Sequence, residues 1–246
     1  MKKGNKKNVE IILLNTKHPG NIGSAARAMK NMGFTNMRLV NPVDFKVPEV
    51  YMLGWNSSDI FEKAKVYGSL KDALADVSFV VGTTARKGKA RENLFPLEDV
   101  VKDIVSVSVN KKVAILFGSE NNGLVNEEIK ECHKLAFIDT DNLFGSLNLS
   151  QAVLVVCYEL HKLMRSYKPK TVLQLAGKKH LDEMYAHLDK VLSMLGYGIK
   201  GNRPLKNQIL KRLKAVFSRA MLEKKDVQMI RGICTQIEKK FGDENE

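Results

Sequence analysis

The chain has 246 residues, 44% of them apolar, and a formal net charge of +13. That apolar share excludes wholesale disorder, and the longest apolar run, Ala152–Tyr158, falls far short of the roughly 18 residues a membrane span needs. Such an excess of Lys and Arg favours polyanionic partners, nucleic acid above all.

Residues 1–8 are Lys-rich and polar and read as a frayed basic arm. Val9–Asn15 is a short strand rich in Ile and Leu. It carries Glu10 and lacks a small-residue cleavage site, so it does not read as a secretory signal. Asn21–Met32 has helical spacing. Ile22, Ala26, Met29 and Met32 share one face, and Ser24, Arg27 and Asn31 lie on the other. Met37–Val40, Ser78–Gly82, Val113–Phe117 and Leu135–Ile138 are further strands. Strands alternating with helices over residues 9–166 argue for an α/β domain with a parallel sheet.

Ser146–Ser166 reads as a long helix, apolar on nearly every side in its first half. Such a helix is buried all round, in a core or a subunit interface. A linker follows, and residues 167–246 form a basic helical extension. From Lys168 onward basic residues outnumber acidic ones by nearly two to one. Helices are expected near Lys178–Leu195, Pro204–Ser218 and Lys224–Lys240. In the middle one Leu205, Ile209, Leu213, Val216 and Phe217 form an arc, and Lys211, Arg212 and Lys214 occupy the other side. That pattern suits an RNA backbone. It equally suits a small helical module with a solvated outer face.

Common chemical signatures are missing. Gly20-Asn21-Ile22-Gly23 is not a dinucleotide fingerprint, and Gly82 to Lys89 lacks P-loop spacing. The five histidines are scattered without metal spacing. Cys132, Cys157 and Cys234 are odd in number and far apart, which fits a reducing compartment and no zinc site.

Three glycine-bearing loops stand out, each at the end of a strand: Asn15–Arg27, Phe117–Leu124 and Ile138–Ser150. Open α/β sheets bind ligands outside the carboxyl ends of their strands. Together with Val81-Gly82-Thr83-Thr84-Ala85-Arg86, these loops resemble the SPOUT superfamily of RNA methyltransferases, in its TrmH-like branch. Within that branch the likeness runs to ribose methylases of the tRNA anticodon loop.

The resemblance implies a SPOUT fold with a C-terminal trefoil knot, S-adenosylmethionine as methyl donor, and a cytoplasmic homodimer with each site near the interface. By residue, Thr83, Thr84, Ala85, Gly118, Ile138, Gly145, Ser146 and Leu147 match the donor-binding segments. Arg27 matches an arginine assigned to catalysis, and Asn21, Glu120 and Asn148 match positions lining the site. One departure is visible. Members acting on the anticodon loop usually read Phe-Gly-Arg-Glu, and here Ser119 replaces the arginine. Beyond the donor segment, Arg86, Lys87, Lys89 and Arg91 form a basic loop placed to contact RNA, as Lys211 and Arg212 are farther on. The expected reaction is methyl transfer to a tRNA ribose 2′-hydroxyl at nucleotide 32. Another tRNA or ribosomal RNA site, or a non-catalytic RNA-binding protein of the same fold, are the alternatives. No metal and no membrane partner is expected.

Overall fold

The computed structural model describes residues 4–85, 93–141, 145–166, 174–198 and 203–242. Its elements run β1 (Val9–Leu14), α1 (Pro19–Asn31), β2 (Met37–Val40), α2 (Pro48–Leu53), α3 (Ser58–Phe61), β3 (Lys65–Tyr67), α4 (Leu70–Ala73), β4 (Phe79–Thr83) and β5 (Leu94–Pro96). Then come α5 (Leu97–Ser108), β6 (Val113–Phe117), α6 (Asn126–Lys130), β7 (Lys134–Phe137), α7 (Leu149–Ser166), α8 (Lys178–Met194), α9 (Arg203–Ala220) and α10 (Lys224–Gly242). The chain divides into two compact units, Met1–Leu173 and Gln174–Glu246. No described helix is long and apolar enough to cross a membrane.

The first unit is built on a seven-stranded sheet in the order β3-β2-β1-β6-β4-β7-β5. Every neighbouring pair is parallel. Parallel strands need crossovers, and the crossover helices cover both faces of the sheet. Strands β1 and β6 are therefore buried along their whole length and, apart from Glu10 in β1, read as continuous apolar runs. Ile12, Leu14, Val80, Leu116 and Leu135 pack with Ala73, Leu74 and Val77 in one cluster around α4. On α1, Ile22, Ala25, Ala26 and Met29 are buried, and this helix packs against α2 and α7. Gly23 allows the α1–α2 contact, since a Cβ there would run into the Val50 carbonyl.

The sheet order sets the site. From β1 the chain moves outward to β2 and β3, then crosses back to β4 beyond β6. That reversal opens a crevice at the carboxyl ends of the central strands. Leu13 pairs with Phe117, Gly82 with Leu116 and Thr83 with Ala136, so these strands end nearly level.

The opposite end of the sheet holds a buried ion network. Arg38 is 2% exposed and Glu10 6%. Arg38 Nη2 lies 2.9 Å from Glu10 Oε1, and its Nη1 donates to Asp76 Oδ1 and the Ala73 carbonyl, each at 2.7 Å. Lys112 Nζ reaches Asp76 at 2.6 Å.

One sequence expectation is corrected. Residues 4–8 are not a frayed arm. Asn8 Nδ2 donates to the Ser108 carbonyl at 2.8 Å, and Lys6 Nζ donates to the Met32 carbonyl at 2.6 Å. The Lys6 ammonium thus sits just past the end of α1, where a cation is favoured. In the single chain α7 is buried on one side, so of the two expected settings only a subunit interface would bury it all round. Leu149, Val153, Val156, Cys157 and Leu160 face the core, but Leu154 is 39% exposed and Tyr158 50%.

The second unit is a helical module of α8, α9 and α10. Its core is Ala176, Leu181, Met184 and Val227, with Tyr185, Leu188, Phe217, Leu222 and Ile230 against them. Of the apolar arc expected on α9, Phe217 joins this core. Leu205 and Val216 stay exposed.

Candidate active site

Loops after β4, β6 and β7 leave the sheet side by side. Thr83 Oγ1 donates to the Leu116 carbonyl at 2.9 Å, and Thr84 N donates to the Ala136 carbonyl at 3.0 Å. These bonds tie the loop after β4 to both neighbouring strands. After β6 the chain reverses tightly. Gly123 N donates to the Ser119 carbonyl at 2.7 Å, and Gly123 has φ +61°. A Cβ at Gly118 would collide with the main chain of Gly123 and Leu124. Only glycine closes this turn without displacing it. The loop after β7 is drawn in by Thr140 Oγ1, which donates to the Gly145 carbonyl at 3.2 Å.

Between these loops lies a cavity of about 450 Å³. Thr83, Thr84, Ala85, Gly118, Ile138, Gly145, Ser146 and Leu147 all line it, so the structure brings the whole predicted donor set together. Ser119, Glu120, Ala136, Thr140, Leu149 and Ala152 complete much of the wall. Sequence reasoning missed Leu149 and Ala152 as lining residues, though their three-residue spacing puts both on one side of the first turn of α7. Of the expected knot, loop residues 142–144 lie outside the described residues.

Glu120 connects the cavity to α1. His18 precedes that helix but makes no side-chain capping bond. Glu120 supplies the acceptors instead. Its Oε2 accepts from Lys17 N at 2.9 Å, and its Oε1 accepts from His18 N at 3.2 Å and from Asn21 Nδ2 at 2.7 Å. Burial pushes its pKa up. The bonds from Asn21 and the amides of Lys17, Glu120 itself and His18 outweigh burial and hold it below the ordinary glutamate value. It is therefore an ionised anchor at neutral pH and a weak proton acceptor.

The chain of bonds continues into α7. Asn148 Nδ2 donates to Asn21 Oδ1 at 3.0 Å. Asn148 Oδ1 accepts from Ser150 N and Ser150 Oγ, each at 2.8 Å, and so caps the start of α7. Three predicted residues, Glu120, Asn21 and Asn148, thus form one hydrogen-bonded line joining the first turns of two helices.

Arg27 stands apart. It is exposed on α1, about 9 Å along the helix axis from Asn21, and does not line the cavity. Among the described residues it has no hydrogen-bond or ion-pair partner. A guanidinium exposed this way is available to an incoming anion. Arg86, Lys87, Lys89 and Arg91 lie outside the described residues. Lys211 and Arg212 are exposed on α9 in the second unit.

Gly118→Ala tests the turn. We expect donor affinity to fall at least about tenfold, because the turn must open to admit a methyl group. Isothermal titration with S-adenosylmethionine, beside a thermal melt of the variant, measures this. Unchanged affinity would show that the turn does not shape the cavity.

The model of the SpoU rRNA Methylase family matches residues 8–158, more than half of the chain. The chain belongs to the SpoU methylase family. A second model, the C-terminal domain of the tRNA methyltransferase TrmJ, matches residues 179–246. The tRNA (cytidine/uridine-2′-O-)-methyltransferase TrmJ of Photorhabdus laumondii is 36% identical over 237 residues, covering 94% of this chain and 97% of that protein. The tRNA (cytidine/uridine/adenosine-2′-O-)-methyltransferase TrmJ of Pseudomonas aeruginosa is 34% identical, covering 94% of each chain. The crystal structure of TrmJ from Z. mobilis matches with a TM-score of 0.76 at 28% identity, covering 93% of this chain and 98% of that one. Within this SpoU-family chain, Ser119 is buried, pairs with Gly123 and forms part of the cavity wall.

Proposed function

We propose that this SpoU-family chain transfers a methyl group from S-adenosylmethionine to a tRNA ribose 2′-hydroxyl, at nucleotide 32 of the anticodon loop, as a cytoplasmic homodimer. The observation that carries the reading is the single cavity lined by all eight predicted donor residues and joined through Glu120 to Asn21 and Asn148.

The cavity's chemistry fits the donor. Among its described lining residues Glu120 is the one charged side chain, and no Lys, Arg or His is present. A wall with no cation among its described residues is poorly suited to a polyphosphate. It is well suited to a sulfonium with an adenosine body. The volume falls in the range of small-molecule sites. Apolar Ile138, Leu147 and Leu149 would flank the adenine, and main-chain groups of Thr84, Gly118 and Leu147 would meet its polar edges. When bound, S-adenosylmethionine supplies a methyl group on a good leaving group.

The chain's residues then do three things. Glu120, Asn21 and Asn148 fix the starts of α1 and α7 beside the cavity. This positioning would orient an acceptor hydroxyl beside the cavity, the kind of orientation worth up to roughly 7–11 kcal/mol. Arg27 receives the RNA. Its guanidinium stays protonated, so it orients the hydroxyl and an adjoining phosphate through its fork of donors. The acceptor hydroxyl would give up its proton to that phosphate or to water. The exposed Leu154 and Tyr158 of α7 offer an apolar surface for a second copy.

Only RNA carries the 2′-hydroxyl, and an unstacked loop nucleotide exposes it. Unmodified tRNA incubated with methyl-labelled donor should gain label on one ribose in the anticodon loop, mapped by alkaline-resistant cleavage. Donor binding without transfer to any RNA would overturn the enzymatic reading. Label on another nucleotide would overturn position 32 alone.

A further inference from the structure

We infer that Lys17, a residue with no role assigned above, binds a phosphate of the RNA beside the target ribose. The inference rests on the proposed RNA substrate and adds a second cation to the acceptor side of the site.

Lys17 lies in the loop between β1 and α1. Its main chain is firmly held. Lys17 N donates to Glu120 Oε2 at 2.9 Å, and Val43 N donates to the Thr16 carbonyl at 3.0 Å. Thr16, just before it, is 2% exposed. His18, just after it, donates its own amide to Glu120 at 3.2 Å. The backbone on both sides is thus anchored to the carboxylate that lines the cavity, while the Lys17 side chain is exposed. Among the described residues its amine has no hydrogen-bond or ion-pair partner. This contrasts with Lys30, Lys112 and Lys134, each within 2.6 Å of a carboxylate.

Placement decides what such an amine is for. Asn21 is the residue of α1 that bonds Glu120, and Lys17 stands four residues before it and Arg27 six after. An RNA ribose brought to this spot carries a phosphate on each side. The cavity wall offers no described cation to meet either phosphate. Lys17 and Arg27 are the Lys and Arg on the segment that runs past the site for which no partner is found among the described residues. A lysine on a rigid backbone loses little freedom beyond its own side chain when it meets an anion, and the contact is charge-assisted. The same amine could instead face a carboxylate of the methyl donor, and the experiment separates the two.

The test compares Lys17→Ala, Lys17→Arg and Lys111→Ala in the full-length protein. Lys111 is an exposed lysine just before β6, at the other end of the sheet, and serves as the control. Lys17→Ala should weaken tRNA binding roughly tenfold, the size of one charge-assisted contact. The slope of log affinity against log salt should fall by about 1. Lys17→Arg should restore both, and affinity for S-adenosylmethionine should not move in any variant. Wild-type affinity and slope in Lys17→Ala would overturn the inference. Weakened donor binding with tRNA binding intact would also overturn it, by placing the amine on the donor. These are binding measurements. Absence of methyl transfer by the wild type would strike the proposed reaction and leave this result to be read by itself.

Discussion

Replacing Arg27 with Ala is expected to slow methyl transfer at least about 100-fold, the loss seen when a single positioned donor is removed from a reacting centre. Affinity for S-adenosylmethionine should stay within about twofold, because Arg27 does not line the cavity. The fold should survive as well. Arg27 is exposed and makes no ion pair with a described residue, so no buried partner is stranded. Single-turnover rates with saturating tRNA, beside donor titration and a thermal melt, measure all three. A variant with wild-type turnover would remove Arg27 from the chemistry and favour a protein that only binds RNA. A variant that loses donor affinity would move Arg27 to the other substrate. Arg27→Lys keeps the charge but not the planar fork, and should recover tRNA affinity better than rate.

The second large effect is on stability. Arg38→Ala should cost about 3–5 kcal/mol, because it strands Glu10 in the interior. Lys112 Nζ lies 3.6 Å from Glu10 and compensates only in part. The double variant Glu10→Leu, Arg38→Met should recover part of the loss, since a buried pair removed whole leaves no orphan charge. Urea midpoints for the two variants measure this. Equal midpoints in wild type and Arg38→Ala would show that the network contributes nothing. The network also fixes a pH dependence. The hydrogen bond from Arg38, followed by that from Lys112, holds the Asp76 carboxyl well below the usual aspartate range, against the opposing effect of burial. A carboxyl with a depressed folded pKa stabilises the fold above its unfolded pKa, near 3.9. Asp76's contribution is thus full at neutral pH and fades as acid drops below about 4. Asp76→Asn should flatten that acid limb. Because this network sits at the amino ends of the strands, none of these changes should alter donor affinity in the folded protein.

The sequence and the fold agree where periodicity is long or burial is two-sided. Val113–Phe117 was legible to the residue, because a central parallel strand is apolar throughout; Met37–Val40 was too, although Arg38 interrupts its apolar run. The helices of the second unit were legible within two residues at each end. The edge strands β3 and β5, each three residues long, were not. Such strands carry no alternation to read, and only their neighbours define them. The helix α5 was missed too. Eight of its twelve residues are buried, so its polar face is too narrow to mark a period. The glycine loops at the strand ends marked a ligand site, but the individual donor residues were legible only through the resemblance. Gly118, Ile138 and Ser146 are distant in sequence, and the strand order alone unites them. What no motif revealed was the use of Glu120 as the cap of α1. That bond spans about a hundred residues and depends on β1 and β6 being neighbours.

The make-up of the cavity wall bears on inhibition. Half of its described lining residues are glycine, alanine or threonine. A compound that displaces the donor would grip the peptide backbone rather than long side chains. Point mutations can delete few of its contacts. Escape variants would instead have to add bulk, at Ala85, Gly145 or Ala152, and each added atom would intrude on the natural donor as well. Resistance at this pocket should therefore carry a direct cost in tRNA modification.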